Sequence, residues 1–124
     1  MANKYTFRDL VVWQKAIRLS TTVYEMTRLL PEDERYGLKS QLRRAAVSVA
    51  SNIAEGNARD TRRDFMKFLA IARGSLAELE TQFIIAAELR LLSELKTVMD
   101  DIQEVRRLLQ GLIRSLRRAE QTNG

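Results

Sequence analysis

Residues 95–116, LKTVMDDIQEVRRLLQGLIRSL, place Leu95, Val98, Ile102, Val105, Leu109, Leu112 and Leu116 at alternating steps of three and four. Those steps hold apolar side chains on one stripe of a helix for about three heptads, with the charged residues on the remaining surface. A run further upstream repeats the pattern with Phe65, Leu69, Ala72, Leu76, Leu79, Phe83 and Ala86. Two long seams need partners, and the N-terminal part of the chain offers them. Leu10, Trp13, Ile17 and Tyr24 form one helical stripe, and Val12, Ala16, Leu19, Val23, Met26 and Leu30 form its neighbour.

Local signals divide the chain into four helices. Asp9 suits the N-cap of a first helix running to about Leu30, and Pro31 stops it and opens a second. Glu32, Asp33 and Glu34 complement the positive end of that second helix, which runs to about Glu55 with Gly56 as its stop. Asp60 or Thr61 can cap a third helix reaching about Arg90, and Ser93 a fourth. Helices of about 22 to 30 residues span roughly 33 to 45 Å, and short links make neighbours antiparallel. The expected fold is all-α, an antiparallel up-down-up-down four-helix bundle. It forms one domain over residues 1–124, with an N-terminal arm through residue 8 and a frayed tail from about 119.

Composition narrows the chemistry. The 124 residues include no cysteine and no histidine, which removes disulfides, thiolate catalysis, most zinc sites and the commonest acid–base group. No clustered carboxylate, lysine or tyrosine arrangement takes their place, so neither an enzyme, a metal site nor a bound cofactor is expected. No run approaches the roughly 18 to 20 apolar residues of a membrane span and no signal pattern opens the chain, so a cytoplasmic protein without a membrane partner is expected. The net charge of +5 is unevenly placed: nine Lys/Arg against three Asp/Glu from Arg35 to Arg73, two against seven from Gly74 to Val105, and five against one from Arg106 onward. Such segregation suits a polyanion, and it equally suits pairing between the basic and acidic parts of two copies.

The second helix is unusual. QLRRAAVSVASNIAEG, residues 41–56, puts Leu38, Leu42, Ala45, Ala46, Val49 and Ile53 on one face, and Val47, Ala50 and Ala54 widen that face beyond a normal stripe. Arg44, Ser48, Ser51, Asn52 and Glu55 fill the remainder, a strip of short hydrogen-bonding groups with two opposite charges. Arg44 and Glu55 stand about 16 Å apart along the helix, so each needs a partner elsewhere. A polar network that fixes packing is the favoured use over catalysis, with Ser75 and Glu78 as candidates to answer it. On the third helix Ala70, Gly74, Ala77 and Thr81 make a face of small residues. Gly74 costs about 1 kcal/mol against Ala there, which points to close approach by another copy of the chain. Arg44, Ser48, Asn52, Glu55, Ala70, Gly74 and Ala77 are therefore the candidates for an oligomer interface or polar network.

Basic side chains gather elsewhere. Arg59, Arg63 and Lys67 share an outward face at the third helix with Arg62 and Arg73 nearby, and Arg106, Arg107, Arg114, Arg117 and Arg118 crowd the fourth. These ten are the candidate nucleic-acid contacts. They would hold phosphates without reading bases, giving salt-sensitive binding. The competing reading is that arginines near a helix C-terminus serve its dipole and solvate its surface. No helix-turn-helix, RNA-recognition motif, aromatic stacking platform or phosphate-binding glycine loop is present in the sequence.

FRDLVVWQKA at 7–16, LPEDERYGLKSQLRRAAVSVASNIAEG at 30–56 and FMKFLAIARGSLAELET at 65–81 resemble the 23S rRNA-intervening sequence proteins, a family of four-helix bundles. The similarity extends to the accessory variability protein of diversity-generating retroelements, a ring of five that binds nucleic acid and a reverse transcriptase. The resemblance implies a homopentamer with basic surfaces, with nucleic acid, structured RNA above all, and a reverse transcriptase as partners. Ala50 departs from the family, since many relatives carry a proline there, so the kink a proline produces is weaker here. Two functions compete at this stage: a non-enzymatic nucleic-acid-binding accessory factor, and a protein-interaction scaffold whose charges serve assembly and a protein client.

Overall fold

The computed structural model describes residues 6–123. Four helices carry the fold: α1 (Val11–Thr27), α2 (Leu38–Asn57), α3 (Arg62–Glu88) and α4 (Lys96–Asn123). Among the described residues α1 packs on α2, α2 on α3, α3 on α4 and α4 back on α1, with no diagonal contact. That cyclic adjacency with short links is the four-helix bundle expected from the seams. α2 and α3 share the most extensive of the four interfaces.

The heptad reading of α3 and α4 matches the core. Leu69, Ala72, Leu76, Leu79, Phe83 and Ala86 are fully buried, as are Val98, Ile102, Val105 and Leu109, while Phe65, Leu95, Leu112 and Leu116 pack at its margin. Of the two α1 stripes, Val12, Ala16, Leu19 and Val23 enter the core, while Ile17 and Tyr24 stay exposed. Leu10 and Trp13 of the other stripe pack at the core's margin, and Arg43 lies over the Tyr24 ring at 4.4 Å. No helix among the described residues is long and apolar enough to cross a membrane.

Several boundaries differ from the sequence reading, each for a local reason. The arm expected through residue 8 lies outside the described residues up to residue 5, and Phe7–Asp9 is a 3-10 turn. Asp9 does not cap α1. Its carboxylate accepts from the Thr6 N–H while the Thr6 hydroxyl caps that 3-10 turn in return. α1 stops at Thr27 rather than Leu30, and Pro31 opens a 3-10 turn, Glu32–Glu34, instead of α2.

The chain then turns at Gly37, and the Glu34 carboxylate accepts the Leu38 N–H at 3.1 Å, so an acidic residue expected to favour the dipole binds the α2 N-terminus directly. Thr61 rather than Asp60 caps α3, accepting the Asp64 N–H at 3.1 Å. α3 ends at Glu88 in a Schellman pattern, Arg90 N–H to the Ala87 carbonyl and Leu91 N–H to the Ala86 carbonyl, with Arg90 left-handed at φ 60°. Ser93 is not the cap of α4, because the chain stays irregular to Leu95 and the helix begins at Lys96. α4 continues to Asn123, through the residues expected to fray.

Gly56 is the most consequential correction. It does not stop α2, which runs on to Asn57, and it is buried. A Cβ there would lie 2.6 Å from the Phe68 Cβ and 3.0 Å from the Phe65 Cδ1. The glycine lets α3 approach α2 on the far side of the turn of 58–61.

Candidate nucleic-acid interface

The polar strip of α2 becomes a real network at its centre. Ser48 and Ser75 share a hydrogen bond between their hydroxyls at 2.8 Å, and Asn52 Nδ2 donates to the Ser48 carbonyl and hydroxyl at 2.8 and 3.0 Å. Ser75 thus answers the strip as its position suggested. Glu78 stays exposed and takes no part in those bonds. Glu55 needs no other helix or subunit, since Arg59 lies 3.2 Å away one turn on. Arg44, Ala70, Gly74 and Ala77 are exposed.

Beside this network a groove of about 650 Å³ opens along α3, lined by Gly74, Ala77, Glu78, Thr81, Gln82 and Gln41 among others. Gln82 is 7% exposed, yet its Oε1 has no hydrogen-bond partner, and its Nε2 makes only a long contact of 3.4 Å with Gln41. One of the two polar ends of this buried amide thus lacks a partner among the described residues.

The ten basic candidates separate into three groups. Arg59 and Arg106 are already engaged. Arg59 lies in the turn before α3 rather than on its face, pairs with Glu55 and stacks 4.7 Å from the Phe68 ring centroid. Arg106 bridges α4 to α3, donating to Glu80 at 2.6 Å and to Gln103 at 2.7 Å, with both charged side chains about three-quarters buried. Such a pair ties α4 to α3 and leaves little of the Arg106 side chain exposed. Arg62, Arg63, Lys67 and Arg107 are exposed singly, and Arg118 is engaged within the chain.

The third group is brought together by the fold. Arg73 of α3 and Arg114 and Arg117 of α4, 41 to 44 residues away in sequence, line one concavity of about 380 Å³ with Gln110 and Ile113. No carboxylate lines it, and among the described residues none of these three arginines makes an ion pair. Like charges set together raise one another's energy unless an anion lies between them.

A second basic concavity, of about 510 Å³, was missed in the sequence. Glu32, Arg35, Tyr36, Lys39, Ser40 and Arg43 line it, and Tyr36 is 85% exposed. Assigning residues 31–55 to one helix hid it, because only the turn before Gly37 projects the tyrosine outward. An aromatic residue between basic neighbours in a loop was the available signal.

Lys96, at the first turn of α4, holds its proton more tightly than usual because of its 2.7 Å hydrogen bond to Asp100 and that carboxylate's charge. Among the described residues no group of three or more carboxylates is arranged to hold a metal ion.

Fold and surface together define a small all-helical bundle with an arginine-lined concavity between its last two helices. Within that class the match is specific: residues 8–111 fit the family model of the 23S rRNA-intervening sequence proteins, and the chain belongs to that family. A solved structure with the same fold is a protein of unknown function from the S23 ribosomal protein family of Bacteroides thetaiotaomicron, 23% identical. Its similarity covers 83% of this chain and 98% of that one, with a TM-score of 0.77. No curated protein matches the chain.

Proposed function

We propose that this chain is a non-enzymatic, homo-oligomeric accessory protein, pentameric by resemblance, that binds nucleic acid, chiefly structured RNA, through its basic surfaces. The observation that carries the reading is the concavity of Arg73, Arg114 and Arg117, three guanidiniums without a lining carboxylate. Guanidinium forks match phosphate oxygens, and phosphate contacts of this kind carry affinity rather than sequence information. Self-assembly is supported by the groove beside Gly74, where the buried Gln82 amide lacks a partner that a neighbouring subunit can supply.

The test is a titration of a structured RNA hairpin against the intact protein and against the variant carrying Arg73→Glu, Arg114→Glu and Arg117→Glu, over a range of salt. Affinity should fall steeply with salt, and the variant should lose affinity while its salt slope drops by about 2 to 3. Absence of binding at low salt by correctly assembled protein would refute the reading. It would leave the interaction scaffold, in which the charged faces serve subunit assembly and a protein client.

A further inference from the structure

Between α1 and α2 the chain presents Tyr36 to solvent, where its ring adds nothing to the core. Around it stand Arg35, Lys39 and Arg43 against one carboxylate, Glu32, in the concavity of about 510 Å³. Two of these cations already lie beside rings: the Arg35 guanidinium is 5.4 Å from the Tyr36 centroid, and that of Arg43 is 4.4 Å from the centroid of Tyr24.

Their states of restraint differ. Arg43 is held in place, its Nε donating to the Thr27 hydroxyl at 2.8 Å and its Nη2 to the Tyr24 carbonyl at 3.3 Å, while Nη1 is uncommitted among the described residues. Arg35 meets Glu32 only at 3.5 Å, with both side chains more than half exposed, a pairing that solvent and salt screen and that yields readily to a ligand. Lys39 has no ion-pair partner among the described residues.

We infer that this concavity binds one unpaired nucleotide of a single-stranded nucleic acid, its base stacked on Tyr36 and its phosphate held by Lys39 and Arg43. A phosphate alone would leave the ring without a role, and an apolar segment would have to bury three cations. A nucleotide joins a flat π-face to an anion a short distance away, and so matches an exposed ring and fixed cations within one hollow. A base locked in a duplex cannot offer its face to the ring. The site therefore differs from the Arg73, Arg114 and Arg117 concavity, which has no aromatic lining and accepts phosphates from any strand. The inference rests on the nucleic-acid reading and adds strand selectivity to it.

The experiment compares the intact chain, Tyr36→Ala and Tyr36→Phe for binding to a short unstructured RNA carrying 2-aminopurine and to a blunt-ended, fully paired RNA duplex, at low salt. Tyr36→Ala should weaken the single strand by about 5- to 100-fold and leave the duplex unchanged, while Tyr36→Phe retains the affinity and the quenching of 2-aminopurine. Equal affinities of Tyr36→Ala and the intact chain for the single strand would overturn the site, and so would equal losses for both RNAs. A reduced solution mass of Tyr36→Ala with unaltered RNA binding would also overturn it, by assigning the ring to a subunit contact. If the intact chain binds neither RNA, the wider nucleic-acid reading fails with it; failure confined to Tyr36 leaves that reading standing.

Discussion

Gly56 and Gly74 lie inside α2 and α3, the two helices that share the most extensive interface of the bundle, and they stand in opposite surroundings. A methyl group on Gly56 would press into Phe68 and Phe65, whereas one on Gly74 would meet nothing within 4 Å. Each glycine costs its helix about 1 kcal/mol relative to Ala. At Gly56 the chain recovers that cost through close approach of two helices around Ile53 and Leu69, both fully buried. At Gly74 nothing inside the chain offsets it, and the adjoining groove holds the Gln82 amide with an unpaired end. The contrast separates a glycine that packing within the chain explains from one that nothing among the described residues explains.

The comparison breaks first at Gly56. Gly56→Leu gains helix propensity but forces a branched side chain against Phe68 and the Phe65 carbonyl, 3.2 Å from the ideal Cβ position. The expected net loss is about 3 kcal/mol, read as a lower urea midpoint with an unchanged m-value. Equal or greater stability would mean that α2 and α3 can separate freely and that the close approach is incidental. A smaller effect is expected at Ser75, which lies one residue from Gly74 yet faces α2. Ser75→Ala removes the bond to Ser48 and leaves Asn52 as that hydroxyl's partner. It should cost about 1 kcal/mol in the same denaturation measurement, with the oligomer intact. Loss of assembly from this change alone would move the boundary between the folding side and the docking side of α3.

The sequence announced the two long seams clearly because heptad spacing depends only on residues within one helix. Leu76, Phe83, Ile102 and Leu109 were all legible on that basis and are all fully buried. Gly56 was misread as a stop because its meaning depends on Phe65 and Phe68, which belong to the next helix. The Ser48–Ser75 bond was legible as a pairing of faces but not as a distance. Among the arginines, identity and spacing could not separate Arg106, tied to Glu80, from Arg114 and Arg117, which have no ion pair among the described residues. Tyr36 was hidden by a boundary error of a few residues, since moving the start of α2 from Pro31 to Leu38 turns a helical position into a projecting one.

The smallest expected effect is also the sharpest for the comparison. Gly74→Ala adds a methyl group to an exposed position in the middle of α3, so within an isolated subunit it should stabilise by a little under about 1 kcal/mol, or raise Tm by roughly 4 °C. If a neighbouring subunit packs closely over Gly74, the same methyl group obstructs the contact. Thermal unfolding at high dilution and light scattering at high concentration then move in opposite directions: a higher Tm for the subunit and a lower assembled mass. Gly56→Ala cannot behave this way, because its clash lies within the chain and acts at every concentration. A Gly74→Ala variant that gains stability with no change in mass would show that this glycine serves no docking, and of the two compared only Gly56 would keep a structural reason.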